Sequence, residues 1–131
     1  LKGLGAKQLA VALVGGALDA ARAEAVVAAA TDALYLYRHT KPSAGPAPTL
    51  AGITLLAGKD EAAAARAGVA RGQGVAAGVT LARECANRPA NHCTPSFLAA
   101  EAKKLAKAHG FKVQVLERKD CEKLGMGSFL A

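Results

Sequence analysis

Apolar and polar positions switch between strand-like and helix-like spacing along the first sixty residues. An apolar run at residues 8–14 ends in two glycines and predicts a strand buried on both faces. From Asp19, a candidate N-cap, apolar residues recur at helical intervals as far as Tyr37. Three prolines in residues 42–48 indicate an exposed loop, and a second apolar run follows at residues 50–57. This order predicts a βαβ unit of a largely parallel sheet, with a right-handed connection.

The next segment has the pattern of one long helix. Asp60 is the expected N-cap, and the sequence stays compatible with a helix to about Ala86. The segment contains four glycines, namely Gly68, Gly72, Gly74 and Gly78. Each costs about 1 kcal/mol relative to alanine, so we expect a neighbouring element to approach the helix closely and compensate. A phosphate-binding loop at residues 71–74 is the alternative, but it has neither a preceding strand nor Walker or dinucleotide spacing.

A proline-containing turn separates the long helix from a second one. Pro89 ends the first helix, and Thr94 followed by Pro95 is typical of a new helix start. Gly110 is the expected C-cap. The buried stripe of this helix is expected to consist of Phe97, Leu98, Ala102, Leu105 and Ala106.

The pattern of residues 111–131 predicts two short strands around a helix. Residues 111–115 alternate between apolar and polar side chains, as a strand with one polar face does. Asp120 is expected to cap a short helix that ends at Gly125, and residues 129–131 look like the start of a further strand. The predicted fold class is therefore α/β: a βαβ part of a mostly parallel sheet, a long interdomain helix, and the first αβα elements of a second α/β domain.

Composition and charge narrow the function classes. The 131 residues are 52% hydrophobic, which favours a folded core over disorder, and no stretch shows the pattern of a secretory signal or a membrane span. A net charge of +7 could indicate binding to nucleic acid, but the basic residues are spread along the chain and form no concentrated patch. The densest cluster, Lys103, Lys104 and Lys107, has helical spacing and is interpreted as a solvated helix face.

Residues that could carry chemistry are sparse. The odd number of cysteines, Cys85, Cys93 and Cys121, favours reduced thiols. A zinc site built on Cys85, His92 and Cys93 is not favoured, because neither CxxC nor HxxxH spacing is present. His92 and Cys93 are neighbours in sequence, and such neighbours rarely present their side chains to one another as a nucleophile and a base. We therefore predict no catalytic, cofactor-binding or metal-binding residue within this chain.

Two segments carry a resemblance to a known family. Residues 87–99 resemble the domain junction of leucyl aminopeptidases, also called cytosol aminopeptidases, and residues 123–131 resemble the same family at the expected distance downstream. The resemblance is strongest over residues 80–131. It implies an interior fragment: residues 1–59 as the C-terminal part of the N-terminal α/β domain, residues 60–93 as an interdomain helix and proline junction, and residues 94–131 as the start of a truncated catalytic peptidase domain.

The family resemblance also implies a function for the full-length protein. It implies a cytoplasmic, homohexameric enzyme that removes N-terminal residues, often leucine, from peptides with the help of two divalent metal ions, zinc or manganese. The family's metal ligands and catalytic residues lie downstream and match no position in this sequence, so this segment is expected to be scaffold. The alternative is a non-catalytic interaction module, with DNA as one candidate partner.

Overall fold

A computed structural model of the chain describes residues 1, 3 and 5–130. The chain divides into two units, Leu1–Arg88 and Pro89–Ala131. Each unit has its own helices, and the strands assigned among the described residues belong to the first. The predicted α/β class is confirmed by the parallel strands and the long helix of that unit.

The first unit is built on a parallel strand pair. Strand β1 (Gln8–Ala12) pairs with strand β2 (Gly52–Leu56), in a register that places Gln8 opposite Gly52 and Ala12 opposite Leu56. Helix α1 (Ala20–Leu34) lies between them in sequence, which confirms the βαβ unit. The expectation that the first strand is buried on both faces is wrong, because its residues alternate between exposed and half-buried. Two strands are too few to cover both faces of a sheet.

Helix α1 begins as predicted. The side chain of Asp19 accepts a hydrogen bond from the backbone N–H of Arg22 at 2.8 Å. The helical spacing reaches Tyr37, but the helix ends at Leu34 because Tyr35 adopts φ −58° and ψ 131°, outside the helical region. The proline-rich residues 42–48 contain no helix or strand, as predicted.

Helix α2 (Ala62–Asn87) is the longest element, but its N-cap differs from the prediction. The helix begins after Glu61, so Asp60 lies outside the cap position. The Glu61 carboxylate accepts hydrogen bonds from the backbone N–H groups of Leu18, at 3.1 Å, and Gly58, at 3.0 Å. It thereby joins the chain before α1 to the chain before α2. The small core next to it consists of Leu18, Ala23 and Ala65, with Leu55 and Val69 packed against them.

Helix α3 (Pro95–His109) opens the second unit and has both predicted caps. Thr94 accepts a hydrogen bond from the backbone N–H of Phe97 at 3.2 Å, and Gly110 takes the left-handed conformation with φ 72°. The predicted buried stripe is only partly correct, since Ala106 is buried but Leu98 and Leu105 are exposed.

The end of the second unit departs most from expectation. Residues 111–115 form no strand, because the described part of this unit offers no second strand to pair with. Helix α4 (Arg118–Lys123) is capped by Glu117, whereas Asp120 is its third residue and completes a capping box. The expected strand at residues 129–131 is also wrong: Gly127–Phe129 is a 3₁₀ turn, and residue 131 lies outside the described residues.

Candidate functional site

Helices α1 and α2 approach each other closely within the first unit. Gly68 and Gly72 are both buried in α2 and face α1. A Cβ atom added at Gly68 would collide with the carbonyl oxygen of Ala20 and lie 2.8 Å from that residue's Cα. One added at Gly72 would lie 2.9 Å from Val27 Cβ and 3.1 Å from the carbonyl oxygen of Glu24. The predicted close approach is therefore confirmed for these two glycines.

The other two glycines of α2 do not contribute to this contact. A Cβ atom added at Gly74 or Gly78 would meet no atom within 4 Å. The expectation of close approach is wrong for this pair. Residues 71–74 lie inside α2, so they do not form the loop that a phosphate cradle requires.

Charged, polar and aromatic side chains form contacts between the C-terminal ends of α1 and α2. The Tyr35 hydroxyl donates to Glu84 Oε1 at 3.1 Å and accepts from Asn87 Nδ2 at 3.0 Å. The Arg83 guanidinium lies 3.9 Å from the centroid of the Tyr35 ring and pairs with Asp32 Oδ1 at 2.5 Å. We call these five residues the Tyr35 cluster.

The Tyr35 cluster lies at the start of the segment that carries the family resemblance. Asn87 is both the last residue of α2 and the first residue of that segment. Arg88 follows with an ion pair to Glu84 at 3.8 Å. Arg88 precedes Pro89 and leaves the helical region with ψ 135°, so α2 ends at the proline as predicted. No local pattern predicts the contacts of the Tyr35 cluster, since Tyr35 and Asn87 are 52 positions apart.

A groove of about 830 Å³ opens between α1, β2 and α2 within the first unit. Its walls are mainly aliphatic, and they include Val27, Leu34, Ile53 and Val69, with Gln73 among the polar members. Among the described residues that line the groove there is no pair of acidic or histidine side chains that could exchange a proton with a substrate. Its lining suits packing better than catalysis.

The residues weighed for metal or thiol chemistry are dispersed. Cys85 lies half-buried in α2, whereas His92 is exposed and Cys93 half-buried in the turn before α3. The backbone N–H groups of His92 and Cys93 both donate to the Pro89 carbonyl, at 2.8 and 2.9 Å. Among residues 1, 3 and 5–130, no three His, Cys, Asp or Glu side chains are arranged to hold a metal ion, and no disulfide is formed.

The basic residues of α3 lie on its exposed side. Lys103, Lys104 and Lys107 are all exposed, and Lys104 pairs with Glu101 at 2.5 Å. This placement agrees with a solvated helix face.

None of the helices in the described part of the chain has the length and apolar content that a membrane crossing needs.

Comparison with known proteins gives these features a context. Residues 80–131 match the cytosol aminopeptidase family, catalytic domain. A probable cytosol aminopeptidase of Methylibium petroleiphilum is 67% identical over 131 residues, which are 100% of this chain and 27% of that protein. The cytosol aminopeptidase of Pseudomonas aeruginosa is 41% identical over 136 residues, again covering 100% of this chain but 28% of the relative. A probable cytosol aminopeptidase of Acidovorax ebreus is 50% identical over 107 residues, which are 82% of this chain and 21% of that protein.

The similarity thus extends through both units, although the chain spans only about a quarter of the length of the relatives it matches. The matched stretch of the Methylibium relative covers the positions of α1, α2 and the junction segment. The chain belongs to the cytosol aminopeptidase family.

Proposed function

We propose that this chain is the scaffold part of a longer leucyl aminopeptidase that removes N-terminal residues from peptides. The observation that carries the proposal is the 67% identity, along the whole chain, to a probable cytosol aminopeptidase of which the chain covers 27%. The match of residues 80–131 to that family's catalytic domain supports it. Residues 1–59 would then belong to an N-terminal domain, residues 60–93 to the interdomain helix and junction, and residues 94–131 to the start of the catalytic domain.

The metal chemistry of the proposed enzyme belongs to sequence outside this chain. A family resemblance to two-metal enzymes implies two zinc or manganese ions, but the described residues offer no group of three metal-ligating side chains. They do not fit such a site. What this chain contributes is a closely packed pair of helices, α1 and α2. The pair is in contact at Gly68 and Gly72 and through the Tyr35 cluster, and it ends where the junction begins.

The remaining properties of the proposed enzyme follow from the family resemblance. They are a cytoplasmic location, peptide substrates and a homohexameric assembly. A DNA-binding role is not favoured. The three lysines of α3 form a small solvated face, and one of them, Lys104, is already paired with Glu101.

The test compares the full-length polypeptide with the 131-residue chain on a leucine-derived chromogenic substrate. We expect turnover only by the full-length protein, abolished by a chelator and restored by zinc or manganese. The matched control is the 131-residue chain purified in parallel, with the same metal added. Metal-dependent turnover by that chain, or no turnover by the full-length protein under any metal condition, would contradict the proposal.

A further inference from the structure

Helices α1 and α2 end without the charges that stabilise a helix C-terminus. Both lie wholly within the described residues, and neither has a basic residue in its last turn. Each has a carboxylate there instead, Asp32 in α1 and Glu84 in α2. A negative charge at this position is unfavourable, because the helix dipole already places partial negative charge on the last carbonyl groups. Helix α3 shows the contrast, since it ends with Lys107, His109 and the left-handed Gly110.

Burial along α2 stops well before its C-terminus. The buried residues of this helix are Ala65, Gly68, Gly72 and Ala76, so none of the described residues 77–87 is buried. A helix in a folded protein owes most of its stability to the packing of its apolar face. The end of α2 therefore depends on other contacts to remain helical.

The Tyr35 cluster supplies contacts at this end and connects the two helices. Tyr35 is the C-cap of α1, and its hydroxyl bonds Glu84 and Asn87 in the last turn of α2. Arg83 of α2 lies on the Tyr35 ring and pairs with Asp32 of α1. Each of the two unfavourable carboxylates is thus bound by a side chain of the other helix. Opening of one helix end removes the partner that offsets the carboxylate of the other.

We propose that the Tyr35 cluster is a latch, a set of contacts that makes the last turns of α1 and α2 open and close together. With the latch closed, α2 is helical to Asn87 and residues 88–94 connect it to α3. With the latch open, residues 84–87 leave the helix and lengthen this connection by about one turn. In the longer enzyme the latch would control the length of the junction before the catalytic domain, and this consequence alone rests on the proposed function.

Amide hydrogen exchange of the full-length polypeptide, measured without substrate, tests whether the two helix ends open together. The exchange rate of an amide, divided by its rate in an unfolded peptide, gives its opening constant. Residues 33–35 and 84–88 should share one opening constant within about threefold, because they belong to one cooperative unit. This constant should be larger than that of residues 65–76. A greater difference between the two helix ends, or a constant equal to that of residues 65–76, would overturn the proposal.

A tyrosine substitution tests whether the cluster couples the two ends. Tyr35→Phe removes the hydroxyl that bonds Glu84 and Asn87 and keeps the ring. The opening constant of both helix ends should rise about fivefold, as expected for lost hydrogen bonds. The matched control is Tyr37→Phe, whose hydroxyl lies 2.7 Å from Thr40 Oγ1, and it should change the constant by less than about twofold. A rise below about twofold at either helix end of Tyr35→Phe would refute the latch.

Two arginines of α2 separate the latch from the general packing of the helices. Arg83 pairs with Asp32 of α1 at 2.5 Å. Arg71 pairs with Glu24, also of α1, at 3.5 Å. Arg83→Met loses its ion pair and its contact with the Tyr35 ring, so the opening constant of both helix ends should rise about threefold or more. Arg71→Met should change it by less than about twofold, because its ion pair lies outside the turns that open. Equal effects of the two substitutions would show that the ends open only with the whole unit, which would overturn the proposal.

Turnover of the same samples separates this inference from the proposed function. Coupled opening in a full-length protein that lacks aminopeptidase turnover would uphold the latch and refute the enzyme assignment. Turnover in a protein whose two helix ends open independently would uphold the enzyme assignment and refute the latch.

Discussion

Adding one methyl group at Gly68 should separate the two long helices of the first unit. The added Cβ atom would collide with the Ala20 carbonyl oxygen and lie 2.8 Å from both the carbonyl carbon and Cα of Ala20. These are backbone atoms of α1, so no side-chain rotation can relieve the contact. The helices must move apart, and the packing of Ala23 and Ala65 in the small core would loosen with them.

The size of the effect can be isolated with a matched substitution in the same helix. Gly68→Ala and Gly74→Ala both gain the same helix propensity, about 1 kcal/mol, so this gain cancels between them. At Gly74 the new methyl group meets no atom within 4 Å. The difference between the variants is then the cost of overpacking, and we expect Gly68→Ala to be less stable than Gly74→Ala by about 1–3 kcal/mol.

Urea unfolding of the 131-residue variants, followed by the circular dichroism of the helices, measures this difference. Relative to the parent chain, the midpoint should rise for Gly74→Ala, whereas for Gly68→Ala it should stay constant or fall. Gly72→Ala should behave like Gly68→Ala, because its Cβ atom would lie 2.9 Å from Val27 Cβ. A Gly68→Ala variant as stable as Gly74→Ala, with the same slope of the transition, would refute the packing of α1 on α2 described here.

Three further outcomes follow from the contacts in each unit. Tyr35→Phe removes the hydroxyl that joins Glu84 to Asn87 and should cost about 1 kcal/mol in the same unfolding assay, whereas Tyr37→Phe, whose hydroxyl bonds only the nearby Thr40 among the contacts described, should cost less. Glu61→Ala should cost about 1 kcal/mol by removing the acceptor of two backbone N–H groups, while Asp60→Ala should be nearly neutral. Binding of the 131-residue chain to duplex DNA, measured by fluorescence anisotropy, should be weak, strongly reduced by salt and indifferent to sequence; submicromolar sequence-selective binding near physiological salt would contradict this.

Features that depend on a few consecutive residues could be predicted from the sequence. Asp19, Thr94 and Gly110 all cap helices as expected, because a cap requires only a side chain or a left-handed backbone within about three residues of the helix end. The choice between adjacent candidates was harder. Glu61 and Glu117 took the positions expected for Asp60 and Asp120. Glu61 accepts a hydrogen bond from the distant Leu18 N–H, whereas at α4 the Asp120 side chain accepts from the Glu117 N–H within a local capping box.

Features that depend on distant residues could not be predicted. The Tyr35 cluster joins side chains 49 and 52 positions apart, and its members have no distinctive spacing. Residues 111–115 show the opposite failure, because their strand pattern is clear but the described unit contains no strand to pair with. Local sequence determines the preference of a segment, whereas a hydrogen-bonded ladder requires a second segment.

The four glycines of α2 show why the family resemblance was needed to interpret this chain. The buried positions of the helix are Ala65, Gly68, Gly72 and Ala76, which follow helical spacing along one side. Gly74 and Gly78 lie off that stripe and meet no neighbour. Alanine and glycine occur on several faces of α2, so more than one row of small residues could pack against a neighbouring helix. Hydrophobic periodicity does not show which row is buried. Only the position of α1 distinguishes them, and α1 approaches along the stripe that contains Gly68 and Gly72. A scaffold packed through small residues therefore carries little local signal of its role, and its proposed function rests on similarity along the whole chain.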